Sequence, residues 1–253
     1  MVKQSAAYWC YVGDGKLTPD EFFATAVEIG IRGVEMVPPA QRRLARDHGL
    51  EIVNHNCGSI EKSFNKLENH AALIEQHRAG IDANVADGVK DLIVFCGNRD
   101  GQDDAEGLAN TVAGYRQVAP YAEEKGVTLL FEMFNQKDHP DYMGDYTQFG
   151  LDLVGAVGSP NLRIVYDIYH MALMEQDIIA DVVDNLEVMA HLHLAAAAGR
   201  NCTADCARIP YPEIVRAIHG AGYAGYWGQE FVPGADAKDE LRRAFDFIND
   251  CAG

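Results

Sequence analysis

The sequence predicts an α/β chain folded as one (β/α)8 TIM-barrel domain over residues 1–253, and three observations carry that expectation. Apolar, β-branched runs alternate with helix-forming stretches along the chain, which makes a parallel sheet with helices outside it. One phrase recurs, a helix end, a glycine and then a strand, in Glu28-Ile29-Gly30-Ile31, Asp47-His48-Gly49-Leu50, Glu124-Lys125-Gly126-Val127 and Ala221-Gly222-Tyr223. About eight such units fit into roughly 250 residues, a count that favours the closed barrel over an open doubly wound sheet. The first strand-to-helix turn also lacks a G-x-G-x-x-G run, which argues against dinucleotide binding.

The elements follow in order. Residues 3–8 read as a weak first strand. Thr18-Pro19-Asp20-Glu21 starts a helix, with Thr18 as N-cap, Pro19 at the first helical position and Glu21 closing a capping box. Phe22, Phe23, Ala26 and Val27 form its apolar stripe, and Gly30 stops it. Gly33–Val37 is the second strand, broken by Pro38-Pro39. A short helix over Arg42–Asp47 precedes the third strand, Leu50–Val53. A long helix over Leu67–Ala86 leads to the fourth, Asp91–Phe95, and a helix over Ala105–Lys125 leads to the fifth, Val127–Phe131. Tyr146–Val157 is helical before the sixth strand, Leu162–Tyr166. Asp177–Leu186 is helical before the seventh, Val188–Leu194. Tyr211–His219 is helical before the eighth, Tyr223–Gln229, and a helix over Asp236–Asn249 closes the chain.

Composition excludes several functions. A formal net charge of -17 argues against a nucleic-acid surface, which needs a basic face, and against an anionic membrane partner. No apolar run spans a bilayer and no basic-then-apolar leader opens the chain, so a cytoplasmic location is expected. The six cysteines form no dense framework and are expected as reduced thiols. Cys202 and Cys206 make a lone C-x3-C pair, a weak zinc signal. Homo-oligomer formation is left open.

The chemistry sits where four strands stop. Glu132 follows the fifth strand, Asp167 the sixth and Glu230 the eighth, while His193 lies near the end of the seventh. In this architecture the C-terminal strand ends form the active face. A lone strand-end carboxylate is often a helix cap or loop anchor, and a lone histidine is often a hydrogen-bonded core residue. Four in the same position point instead to one shared partner, because unpaired buried charges cost several kcal/mol. Oxygen and imidazole ligands without thiolate suit a divalent ion, Mn²⁺ or Mg²⁺ foremost and Co²⁺ or Zn²⁺ next.

Longer stretches resemble the hydroxypyruvate isomerases of the xylose-isomerase-like group of metal-dependent sugar isomerases and epimerases. They are Ser159-Pro160-Asn161-Leu162, Val165-Tyr166-Asp167-Ile168-Tyr169-His170-Met171, Asp138-His139-Pro140-Asp141-Tyr142, Gly97-Asn98-Arg99 and Gly225-Tyr226-Trp227-Gly228-Gln229-Glu230-Phe231. The resemblance implies a TIM barrel holding a divalent ion with Glu132, Asp167, His193 and Glu230, and substrate contacts from His170 and Arg200. His55, after the third strand, is a weaker substrate candidate, and a core or loop histidine describes it equally well.

The implied reaction interconverts hydroxypyruvate and tartronate semialdehyde, or a similar small hydroxy-carbonyl compound, through an enediol. Glu132 and Glu230 would serve as ligands and as acid/base groups, with Asp167 and His193 as anchors. A ketose 3-epimerase or other sugar isomerase would use the same residues, and a non-catalytic metal-binding barrel is the third reading. A zinc endonuclease of this barrel class fits poorly with the charge and the few strand-end histidines. One segment departs from the family. After Ala195-Ala196-Ala197-Ala198-Gly199, Arg200 is kept, but Asn201 and Cys202 replace an expected His and Glu, and Arg208 stands where an acid is expected.

Overall fold

The computed structural model describes residues 1–13 and 15–253. In chain order its early elements are β1 (Gln4–Ala7), α1 (Tyr8–Val12), α2 (Pro19–Ile29), β2 (Gly33–Glu35), α3 (Pro39–Asp47), β3 (Glu51–Ile52) and β4 (Asn54–Asn56). The middle holds α4 (His70–Ala86), β5 (Asp91–Val94), α5 (Asp104–Lys125), β6 (Thr128–Glu132), α6 (Thr147–Val157), β7 (Leu162–Asp167) and α7 (Ile168–Leu173). The chain continues through α8 (Ile178–Val183), β8 (Met189–Leu194), α9 (Tyr211–Gly220), β9 (Tyr226–Gln229) and α10 (Ala237–Ala252).

The chain divides into two compact units, one of Met1–Val53, Asp177–Leu186 and His191–Gly253, the other of Asn54–Gln176 and Glu187–Ala190. In the first unit β2 and β9 flank β1, β3 pairs with β2, and the His191–Leu194 part of β8 pairs with β9, all in parallel. In the second, β4, β5, β6 and β7 pair in sequence order, also in parallel. Val188, just before β8, accepts the Ile164 N–H at 2.9 Å.

Every expected strand has a counterpart, and the differences have local causes. The third strand runs on beyond Val53. Its first part, β3, pairs with β2 in the first unit and its second, β4, with β5 in the second. Among the described residues nine strands therefore correspond to eight expected ones. Tyr8 leaves β1 and begins α1, a single turn that no periodicity announced. Pro39 both ends β2's extension and opens α3 as its first residue, so this helix starts earlier than expected. The eighth strand begins only at Tyr226, because Gly222 turns through a left-handed φ of 95° just upstream.

The α2 start matches its sequence signature. Thr18 N–H donates to Glu21 Oε2 at 2.9 Å and Glu21 N–H to Thr18 Oγ1 at 3.3 Å, while Gly30 closes the helix at φ 104°. The apolar stripe of α2 packs into an aromatic cluster in which Tyr11 stacks on Phe22 at 5.2 Å and meets the edge of Phe231 at 5.6 Å. In the second unit Phe64 packs against Tyr115 and His77 at 5.0 and 4.9 Å. These clusters hold the rigid strands whose ends carry the polar residues. Among the described residues no helix is long and apolar enough to cross a membrane.

Candidate active site

In the second unit, register places two of the expected carboxylates. Phe131 lies opposite Ile164 and Glu132 opposite Val165, so Glu132 and Asp167 occupy the C-terminal ends of neighbouring strands. Both are buried. Tyr142 anchors this end of β6 by donating its hydroxyl to the Glu132 carbonyl at 2.8 Å. Asp167 is also the N-cap of α7 and accepts the His170 N–H at 3.1 Å, a placement favoured by the free amides of a helix start.

That turn brings His170 Nε2 to 3.6 Å from Asp167 Oδ2. The other face of the ring is held by Asn135, whose backbone N–H and side-chain amide reach Nδ1 at 3.1 and 2.6 Å. A backbone N–H can only donate, so Nδ1 accepts. The neutral ring then carries its proton on Nε2. Asn135 is itself fixed by Asp138, which receives the Asn135 amide at 3.1 Å and the Tyr169 hydroxyl at 2.6 Å. Burial would raise the Asp138 pKa, but the hydrogen bonds from Tyr169 and Asn135 hold it below the ordinary value. His55 lies on β4 opposite Leu92 of β5, half-buried, with β5 between it and β6.

In the first unit the remaining expected residues form one network around Glu230, just past β9. His193 Nδ1 lies 3.0 Å from Glu230 Oε2, and an Arg200 guanidinium nitrogen lies 2.5 Å from the same oxygen. Arg200 Nε also donates to the Glu230 carbonyl at 3.1 Å, and its guanidinium sits 5.4 Å from the Trp9 ring centre. The Trp9 indole N–H donates to Glu230 Oε1 at 3.0 Å. Burial alone would raise the Glu230 pKa; the Arg200 and His193 charges outweigh it and hold the carboxyl far below its ordinary range. Arg200 adopts a left-handed φ of 56°, in a turn fixed by Val232 N–H donating to its carbonyl at 2.8 Å.

Residues that no sequence pattern singled out complete this side. Glu35, the last residue of β2, is fully buried; its Oε2 lies 2.9 Å from His193 Nε2 and 3.0 Å from His191 Nε2. Ser5 Oγ donates to Glu35 Oε1 at 2.6 Å. Burial favours protonation of Glu35, yet His191 and His193 keep its pKa well below normal. The available signals were a single acid inside the apolar run Gly33–Val37, and His191 two residues before His193 and hence on the same strand face. Trp9 and Asn135 had no comparable signal.

The donor chemistry fits a divalent ion. Glu132, Asp167, His193 and Glu230 offer oxygen and imidazole nitrogen, and all four are buried. Cys202 and Cys206 belong to none of the clusters of three or more candidate ligands among the described residues. Cys202 Sγ donates to the Glu240 carbonyl at 3.3 Å and Cys206 Sγ accepts the Ile209 N–H at 3.2 Å, so local packing accounts for both. All six cysteines are free thiols. Arg208, the cation in the departing segment, is exposed.

A family model described as the xylose isomerase-like TIM barrel matches residues 23–251. Hydroxypyruvate isomerase from Escherichia coli (strain K12) is 28% identical over 239 residues, covering 87% of this chain and 90% of that protein. Among solved structures, one titled AP endonuclease, family 2 from Brucella melitensis superposes with a TM-score of 0.83 at 21% identity, covering 95% of this chain and 97% of that one. D-psicose 3-epimerase with D-tagatose from Clostridium cellulolyticum H10 superposes with a TM-score of 0.81 at 19% identity, covering 99% of each chain. At such identities the structural likenesses speak for the fold alone.

Proposed function

The chain belongs to the xylose isomerase-like TIM-barrel family, and from that premise we propose that it is a divalent-metal-dependent isomerase of hydroxypyruvate or a similar small hydroxy-carbonyl acid. The fold is accordingly the (β/α)8 barrel. The observation that carries the proposal is the buried Glu132, Asp167, His193 and Glu230 set at strand ends, in a chain similar to a hydroxypyruvate isomerase over 87% of its length.

In this reading those four residues hold the ion, which would supply Lewis acidity to the substrate carbonyl and its neighbouring oxygen. Glu132 takes the proton from the carbon beside the carbonyl, giving an enediol, and the Glu132 carboxylic acid so formed returns it to the adjacent carbon; Glu230 is the second carboxylate base, for the hydroxyl proton that moves between the two substrate oxygens. Arg200 keeps Glu230 anionic and oriented, so the group is ready to accept that hydroxyl proton. His170, with Nδ1 occupied by Asn135, presents Nε2–H as a neutral donor to a substrate oxygen. Arg200 already binds the carboxylate of Glu230, and the same fork suits the carboxylate of an acid substrate. His55 remains a lesser substrate contact in this proposal.

The test is the metal-loaded protein incubated with hydroxypyruvate, with products followed by NMR. Tartronate semialdehyde that forms with Mn²⁺ or Mg²⁺ and not after chelation is the expected result. Inversion of a ketose at C3 without conversion of hydroxypyruvate would replace this reading with the epimerase. Ion binding with neither conversion would leave a non-catalytic barrel.

A further inference from the structure

Resting on that reading of the metal centre, we infer that Glu35 is a positioning residue that fixes the ring of His193, and that Gly228 is the gap that lets it do so. The register lays out the device. Ser5 of β1 lies opposite Gly228 of β9, and Gly228 lies opposite His193 of β8. Glu35 stands on β2, on the far side of β1 from β9. Its carboxylate spans those strands to reach His193 because position 228 has no side chain. A Cβ there would lie 2.3 Å from Glu35 Oε1, 2.8 Å from His191 Nε2 and 2.9 Å from His193 Cδ2.

The chemistry of the contact sets the ring's orientation. Glu35 Oε1 is held by the Ser5 hydroxyl, so Oε2 is aimed at the two imidazoles. Oε1 already accepts from Ser5, so Oε2, flanked by both imidazoles, is the acceptor facing His193 Nε2 at 2.9 Å, and that nitrogen is the donor. Nδ1 faces Glu230 Oε2 at 3.0 Å, and the proton it shares there is the one a bound ion would displace. A ligating histidine whose second nitrogen donates to a carboxylate has its ring plane fixed before the ion arrives, and keeps that second proton once the ion is bound. His191, sharing the same oxygen at 3.0 Å, limits where Glu35 can swing.

Two measurements test this. In long-range ¹H–¹⁵N spectra of the wild-type protein, His193 should show a protonated Nε2 both without metal and with Zn²⁺, chosen as a diamagnetic ion. A bare Nε2 in either form overturns the assignment. In calorimetric titrations with Mn²⁺, Glu35→Leu should bind about 10- to 100-fold more weakly than wild type. A folded Glu35→Leu protein within about twofold of wild-type affinity would equally overturn it. If the wild-type chain binds neither ion, the metal-centre reading fails, while the metal-free spectrum still decides the role of Glu35.

Discussion

The two units prepare their site residues by different means. In the first, Glu230 and Glu35 are surrounded by charged and hydrogen-bonding side chains: Arg200, Trp9 and His193 around one, Ser5, His191 and His193 around the other. In the second, Asp167 is placed mainly by backbone, as a strand end that caps α7, and His170 is oriented by a backbone amide. Side-chain charge sets the protonation of the first pair of carboxylates. Local chain geometry sets the placement of Asp167 and His170. Substitutions should therefore report electrostatics in one unit and shape in the other.

The largest effect is expected at Asp167. Removing its carboxylate in Asp167→Ala should abolish stoichiometric metal by elemental analysis and reduce isomerase activity to background. Loss of the cap costs only about 0.5–2 kcal/mol, so the protein should still melt cooperatively. Full metal occupancy in a folded Asp167→Ala protein would take Asp167 out of the coordination sphere.

Next comes Glu132→Gln, which retains size and one oxygen ligand but removes the base. Turnover should fall by about 10²–10⁴-fold while part of the metal remains. A loss under tenfold at normal metal content would move the proton transfer to Glu230.

Arg200→Lys should be milder and should separate two roles. Losing a charge-assisted bond worth roughly 1.5–3 kcal/mol corresponds to about ten- to a hundredfold. If the guanidinium binds the substrate carboxylate, kcat/KM for hydroxypyruvate should fall further than for a neutral ketose, chiefly through KM. An equal fall for both substrates would assign Arg200 to Glu230 and its own loop.

The smallest effect is expected at Asn135→Ala. The side-chain amide and its link to Asp138 are lost, but the backbone N–H of residue 135 still reaches His170 Nδ1. Activity should drop by less than about tenfold, below the roughly 10–100-fold typical of losing a supporting contact outright, because the backbone contact remains. A collapse comparable to Glu132→Gln would show that the side chain, and not the backbone, orients His170.

The strand–helix alternation and the strand-end acids were legible because both are written in local pattern. The run Val127–Phe131 and the phrase before Gly126 need no tertiary knowledge, and Thr18 to Glu21 announces a helix start by its own chemistry. What stayed hidden depends on register across strands. Glu35 is a single acid inside the strand Gly33–Val37, and only the pairing of β2, β1, β9 and β8 brings it to His193. Gly228 carried no signal of its own, since its role lies in the atoms a side chain would displace. Arg200 was recognised as a cation at the right place, but its engagement with Glu230 follows from a left-handed turn that its side chain does not encode.

Substrate-dependent exchange with heavy water tests the central claim most directly. With Mn²⁺ or Mg²⁺ bound, hydroxypyruvate should acquire deuterium at the carbon beside its carbonyl, because an enediol route passes that proton through a solvent-exchangeable carboxyl group. The exchange should disappear in Glu132→Gln. A metal-loaded protein that catalyses no exchange into hydroxypyruvate, related hydroxy-acids or ketoses would contradict the isomerase account.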